Sequence, residues 1–188
     1  MKETGGKSRY LILGMLAHTP LTGYNIRKWI THEYSHFWQA SFGQIYPILK
    51  ALVKDGLAER FGNTKGSNGR GQIVYCITEK GREALQAWLL EEPDVERLRY
   101  EILLKISFGD QTDPDVLLRH LDAFITRNEA SLQEMNGYIS MMRQHSEREE
   151  ANHTYSKLTA LCGVYHYSAM MDWAREAKEI IKKEVEFQ

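Results

Sequence analysis

A single amphipathic helix is predicted by Ser41-Phe-Gly-Gln-Ile-Tyr-Pro-Ile-Leu-Lys-Ala-Leu-Val-Lys-Asp-Gly56. Ser41 and Gln44 have the spacing of a capping box, in which two side chains satisfy free backbone N–H groups at a helix start. Gly56 suits the left-handed residue that follows a helix end. The helix is therefore expected to begin just after Ser41 and to end near Asp55.

The two faces of this helix differ in chemistry. At about 100° per residue, one arc collects the apolar residues Ile45, Ile48, Leu49, Leu52 and Val53. The opposite arc holds Tyr46, Pro47, Lys50 and Lys54, with Gln44 on the flank near the helix start. A recognition helix in a DNA groove typically has two such faces. One face packs into the protein core, and the other carries hydrogen-bond donors, cations and a flat aromatic ring. The alternative is an ordinary amphipathic helix with solvated lysines.

Pro47 adds a second argument for function. In a helix that begins after Ser41 it removes a backbone hydrogen bond, at a cost of about 3 kcal/mol. Residues that contradict the conformational preference of their own segment are concentrated at functional or strained sites. The presence of Pro47 therefore favours a functional role for this face of the helix.

The flanking segments predict a winged helix-turn-helix. A first helix is expected over Tyr10–Ala17, a second after an N-cap at Thr22, and a fourth from an N-cap at Thr78 to about Glu91. Two short strands are expected at Leu57–Phe61 and Gln72–Ile77. The fold class is therefore mostly α with a small β-wing.

The segment between the two strands is the predicted wing tip. Residues 62–71 contain four glycines, the basic residues Lys65 and Arg70, Asn68, and no acid. Such a tip suits phosphate contacts or insertion into a minor groove, and the alternative is a plain β-turn loop. No Gly-x-x-x-x-Gly-Lys-Ser/Thr nucleotide loop is present.

The second half of the chain predicts two long helices. Asp113-Pro114 is typical of a helix start, and a seven-residue apolar repeat follows it. Candidate dimerisation residues are Leu121, Ile125, Asn128, Leu132, Met135 and Ile139 on the first long helix, and Leu158, Leu161, Tyr165 and Trp173 on the second. Two such seams beside so small a domain predict a homodimer, whereas an intramolecular antiparallel hairpin is the alternative.

Charge is divided unevenly along the 188 residues. The net charge is −1, from 24 Lys and Arg against 25 Asp and Glu. Residues 1–92 hold 12 basic and 8 acidic residues, a net charge of +4, and residues 93–188 hold 12 and 17, a net charge of −5. This asymmetry favours a DNA-binding domain over residues 1–92 and a helical dimerisation domain over residues 93–188.

Composition excludes several other classes of protein. The sequence has no apolar run long enough for a membrane span and no apolar signal core at its start, so a cytoplasmic protein is expected. Cys76 and Cys162 lie too far apart in the sequence to suggest a disulfide framework or a cysteine zinc site.

A histidine pair and an aromatic cluster in the sequence each have a structural as well as a functional interpretation. His32-Glu-Tyr-Ser-His36 matches the H-E-x-x-H motif of zinc proteases, but a short pattern arises easily by chance and no third ligand stands nearby. The aromatic and methionine residues between Tyr165 and Trp173 predict core packing, with an effector pocket as the alternative. We expect no catalytic residue, no metal and no cofactor.

The helix-turn-helix half resembles the PadR family of bacterial transcriptional regulators. The matching segments are Leu11-Ile-Leu-Gly-Met-Leu16, Pro20-Leu-Thr-Gly-Tyr-Asn-Ile26, Ser41-Phe-Gly-Gln-Ile-Tyr-Pro-Ile-Leu49, Lys54-Asp-Gly-Leu57 and Tyr75-Cys-Ile-Thr-Glu-Lys-Gly-Arg82. The resemblance implies a dimeric repressor, of a kind often released from its operator by a small aromatic or amphipathic molecule. It also places Tyr46, Pro47 and Lys50 on the recognition helix, and Lys65 and Arg70 on the wing.

The function expected from the sequence is a homodimeric repressor that binds a palindromic operator in double-stranded DNA. The alternative is a winged-helix ligand sensor or protein-interaction adaptor without specific DNA binding. A zinc hydrolase is the third and most distant interpretation.

Overall fold

The structure, a computed structural model, describes residues 3–38, 42–65, 71–96, 98–145 and 153–186. The chain divides into two compact units, residues 1–95 and residues 96–188. Over the described ranges, no helix has both the length and the apolar character needed to cross a membrane.

The first unit has the winged helix-turn-helix fold predicted from the sequence. Its elements are α1 (Glu3–His18), β1 (Leu21–Thr22), α2 (Gly23–Trp29, continued by a π-helical turn Ile30–Tyr34), α3 (Ile45–Lys54, preceded by a 3-10 turn Phe42–Gln44), β2 (Ala58–Lys65), β3 (Gly71–Ile77) and α4 (Glu79–Leu89). The antiparallel sheet has the strand order β1-β3-β2. Strand β1 was not predicted from the sequence, because a strand of two residues is too short to show alternation.

Both predicted threonine caps are confirmed. The Thr22 hydroxyl accepts a hydrogen bond from the Asn25 N–H at 3.1 Å, and the Thr78 hydroxyl accepts one from the Gly81 N–H at 3.1 Å. Each bond satisfies one of the N–H groups that a helix start leaves without an intrahelical partner. The caps therefore set where α2 and α4 begin.

The core of the first unit packs three helices against the sheet. Its buried members include Ile12, Leu13 and Leu16 of α1, Ile26 of α2, Leu49 and Leu52 of α3, and Tyr75 and Ile77 of β3. The start of α4 approaches the chain before β2 so closely that a Cβ at Gly81 would lie 2.0 Å from the Leu57 carbonyl oxygen. Only glycine fits at this crossing.

The second unit is helical. It contains α5 (Glu101–Ser107), a 3-10 turn (Gly109–Gln111), α6 (Pro114–His145) and α7 (His153–Glu186). The predicted start of α6 is confirmed, since the Asp113 carboxylate accepts a hydrogen bond from the Asp115 N–H at 2.8 Å.

Helices α6 and α7 form an antiparallel hairpin within one chain. Asp122 near the start of α6 pairs with Lys178 near the end of α7, and Arg175 lies 3.3 Å from Glu129. The α6 seam was predicted to pair with a second molecule, but in the structure it packs against α7 of the same chain. Leu121 is fully buried, and Asn128, Met135 and Ile139 are also buried, because α7 folds back along the seam.

Small residues of α7 make this close packing possible. Ala174 joins Leu121 in one cluster, and Ala160 joins Met135 and Ile139 in another. A Cβ at Gly163 would lie 3.1 Å from the Met135 sulfur. The observed arrangement of α6 and α7 is thus the intramolecular hairpin, which was the sequence-based alternative to pairing between two molecules.

Candidate nucleic-acid interface

Helix α3 separates a buried face from an exposed one, as its sequence predicts. Ile45, Leu49 and Leu52 are buried in the core of the first unit. The exposed side carries Gln44, Tyr46, Pro47, Lys50 and Lys54, which are all the predicted DNA-binding residues of this helix except Ser41. Ser41 lies outside the described residues. The exposed set combines two cations with an amide and an aromatic ring, which are groups that bind phosphates and base edges.

The strain expected at Pro47 is absent, and that expectation is wrong. The α-helix begins at Ile45 after a 3-10 turn, so Pro47 is its third residue rather than an interior one. The first four N–H groups of a helix have no intrahelical acceptor, so the missing N–H of a proline costs little there. The predicted capping box needs Ser41, which lies outside the described residues, so it stays a prediction.

The other end of α3 is tied to its neighbours. Gly56 has φ of 72°, the left-handed conformation predicted for it. Its carbonyl accepts a hydrogen bond from the Thr78 hydroxyl at 2.7 Å, and the Asp55 carbonyl accepts one from the Lys80 ammonium at 2.9 Å. The Arg9 guanidinium of α1 also lies 3.1 Å from the Asp55 carboxylate. These contacts hold the helix against α1 and α4, so its exposed face is presented in a defined orientation.

The beginning of α3 meets the beginning of α2. A Cβ at Gly23 would lie 2.7 Å from Cε1 of Tyr46, so the tyrosine ring lies directly against the α2 backbone. The Tyr46 side chain is nevertheless 56% exposed. The neighbouring Tyr24 is also exposed. Sequence reasoning did not single out Tyr24, although a spacing of two residues puts it about 200° around the helix from the buried Ile26.

The wing carries a third exposed aromatic residue that sequence reasoning missed. Phe61 is 69% exposed and lies where the register of β2 against β3 shifts between Arg60 and Gly62. An irregularity of this kind redirects side chains at a strand edge. The backbone of Lys65 pairs with Gly71 at the end of the described hairpin. Asn68 and Arg70 lie outside the described residues, so the predicted wing contacts stay predictions.

The predicted dimerisation residues fall into two groups. Those of α6 line the contact with α7: Leu121, Asn128, Met135 and Ile139 are buried, and Ile125 and Leu132 are half-buried. Trp173 of α7 also packs inside the chain, edge-on to Phe124 with 5.9 Å between the ring centroids. Leu158, Leu161 and Tyr165 instead lie exposed on α7. Of the predicted dimerisation residues, these three are therefore the ones whose side chains are exposed.

The histidine motif does not form a metal site in the described structure. His32 and Glu33 lie on the exposed π-helical turn after α2, and desolvation raises the pKa of the Glu33 carboxyl. Across the described ranges, no three His, Cys, Asp or Glu side chains are grouped so that they could hold a metal ion.

Two family models match the chain, one in each unit. Residues 12–87 match the transcriptional regulator PadR-like family, and residues 98–182 match the virulence activator alpha C-terminal family. Among curated proteins, the negative transcriptional regulator PadR of Bacillus subtilis is 35% identical over 101 residues. The alignment covers 53% of this chain and only 55% of that relative's length.

Solved structures share the fold over nearly the whole chain. A PadR-like transcriptional regulator from Bacillus cereus is 25% identical, with a TM-score of 0.71 over 94% of this chain and 98% of that one. Bacillus subtilis PadR in complex with operator DNA is 23% identical, with a TM-score of 0.78 over 92% and 98%. The same Bacillus subtilis protein in complex with p-coumaric acid aligns at 23% identity, with a TM-score of 0.75 over 97% and 99%.

Proposed function

Because the chain belongs to the PadR-like family of transcriptional regulators, we propose that it represses transcription by binding double-stranded DNA through the exposed face of α3. The observation that carries this proposal is the division of α3 into a buried apolar face and an exposed face with Tyr46, Lys50 and Lys54. The family consists of DNA-binding transcriptional regulators that are not enzymes, so we propose no catalytic role for any residue.

The electrostatics of the first unit support DNA as the partner. The first unit, residues 1–95, contains 12 Lys and Arg against 9 Asp and Glu, a net charge of +3, although the whole chain carries −1. Lysines on the exposed face of α3 bind phosphates and release counterions, which supplies affinity without regard to sequence. The ring of Tyr46 and the amide of Gln44 lie where the helix start would approach base edges.

We further propose that the protein acts as a homodimer on a palindromic operator. The exposed face of α7 with Tyr155, Leu158, Cys162 and Tyr165 follows a spacing of three, four and three residues, which is the seam of a helix pair. A second copy placed on this face by twofold symmetry would bury these side chains and present two α3 helices to two half-sites.

We also propose that a small molecule releases the protein from its operator. Release by an aromatic carboxylic acid is supported by the p-coumaric acid complex of the similar Bacillus subtilis protein. In this chain, the second unit has an open cleft of about 360 Å³ between α5 and the start of α6, lined by Leu104, Phe108, Leu117 and His120 among others. Apolar walls with a few polar groups suit an aromatic ring with one polar end.

Selection of bound sites from random double-stranded DNA tests the proposal most directly. We expect an enriched motif with twofold symmetry and two half-sites about one helical turn apart. A gel shift with the selected site then measures affinity, and p-coumaric acid is added as the probe for release. Failure to enrich any motif would refute specific DNA binding and would favour a ligand sensor or an interaction adaptor. A motif without symmetry would refute the dimer.

A further inference from the structure

We infer that Gly23, the first residue of α2, is a positioning residue for Tyr46 and so helps to set the sequence preference of α3. The inference deepens the proposed function and rests on it. Gly23 carries no side chain that could contact DNA. Its effect comes from the space that it leaves for the tyrosine ring.

The backbone at Gly23 does not itself require glycine. Gly23 is helical, and its φ lies outside the left-handed range that favours glycine. Glycine at a helical position also weakens the helix relative to alanine. The conformation of α2 itself therefore does not explain why residue 23 is a glycine.

The surroundings of Gly23 supply the reason for the residue. An added Cβ would lie 2.7 Å from Cε1 and 3.1 Å from Cζ of Tyr46, and 3.4 Å from Cδ1 of Leu49. The contact with Leu49 is ordinary van der Waals packing, whereas 2.7 Å is too short for two carbon atoms. The Tyr46 ring is thus the one neighbour that a methyl group would have to displace.

This contact preorganises the tyrosine. One side of the ring rests on buried backbone, while more than half of the side chain is open to solvent. A side chain already held in one orientation loses less conformational entropy when it binds. In Gly23→Ala the ring must turn outward, which is possible without unfolding because the side chain is exposed.

The test is a double-mutant cycle on DNA binding. Gly23→Ala, Tyr46→Ala and the double variant are compared with the wild type by site selection and by affinity for the selected site. We expect Gly23→Ala to reduce discrimination at the base pairs contacted by Tyr46 about tenfold, within the range of one side-chain contact to a base. In the Tyr46→Ala background, Gly23→Ala should change affinity less than about twofold, because the residue through which it acts is absent.

Gly14→Ala is the matched control. Gly14 lies inside α1, and an added Cβ there would meet no atom within 4 Å. This variant should keep the wild-type site profile, and its melting temperature should be no lower than that of the wild type. The inference is overturned if Gly23→Ala has the same effect with and without Tyr46, since the methyl group would then obstruct DNA directly. It is also overturned if Gly23→Ala keeps the wild-type profile.

A measurement without DNA separates this inference from the proposed function. In the free protein, nuclear Overhauser contacts should join the Gly23 α-protons to the Tyr46 ring protons, and the Tyr46 ring resonances should shift in Gly23→Ala. Absence of the contact in the wild type overturns the inference even if DNA is bound. If the contact is present but no DNA site is selected, the proposed function fails and the recognition role of the pair fails with it.

Discussion

Lys50→Ala should make DNA binding less sensitive to salt. Lys50 is exposed in the middle of α3, one helical turn after Tyr46, on the face proposed to enter the groove. Each phosphate neutralised by a lysine contributes about 0.9 to the slope of log affinity against log salt concentration. A twofold dimer loses two such contacts, so the slope should fall by about 1.8.

The assay is fluorescence anisotropy on the selected site between about 50 and about 200 mM salt. Over this fourfold range, a slope difference of about 1.8 changes the ratio of wild-type to variant affinity about 12-fold. Lys183→Ala is the control, because it removes the same charge from an exposed position near the end of α7. An unchanged slope in Lys50→Ala, or an equal change in Lys183→Ala, would refute the placement of α3 in the groove.

Three further predictions concern packing and assembly. Gly81→Ala should lower the free energy of unfolding by about 3 kcal/mol or more, because the new Cβ would lie 2.0 Å from the Leu57 carbonyl oxygen. Gly14→Ala should instead raise the free energy of unfolding by up to about 1 kcal/mol, because an added Cβ meets only open space there. Urea unfolding measures both variants. Leu121→Ala should lower the free energy of unfolding by about 2–5 kcal/mol in the same assay, since this side chain is fully buried between α6 and α7. A variant as stable as the wild type would contradict the hairpin packing. Leu158→Glu should convert the proposed dimer to a folded monomer in light scattering, because the side chain is exposed on the α7 face proposed to bind the second copy. An unchanged dimer mass would exclude this face.

Features set by nearby residues could be predicted from the sequence. The threonine caps at Thr22 and Thr78, the start of α6 at Asp113 and the left-handed Gly56 all depend on hydrogen bonds or dihedral angles within a few residues. The two faces of α3 followed from helical periodicity alone, and the exposed residues Tyr46 and Lys50 of the candidate site followed with them.

Features that depend on distant segments could not be predicted. Periodicity identified the apolar seam of α6 but not its partner, because an apolar stripe gains the same free energy whether it is buried by another molecule or by α7 of its own chain. The interpretation of Pro47 failed for a different, local reason. A 3-10 turn moved the start of α3 to Ile45, and a helix boundary is uncertain by a few residues when read from sequence.

The sequence by itself determined the fold class, helix α3 and its exposed chemistry, because these follow from local hydrogen bonding and from the period of the helix. Only the tertiary structure decided that α6 pairs with α7, that the face of Leu158 and Tyr165 remains open, and that Gly23 lies under the ring of Tyr46. These are contacts between segments far apart in the chain, and they depend on shape and distance, which no local pattern of residues encodes.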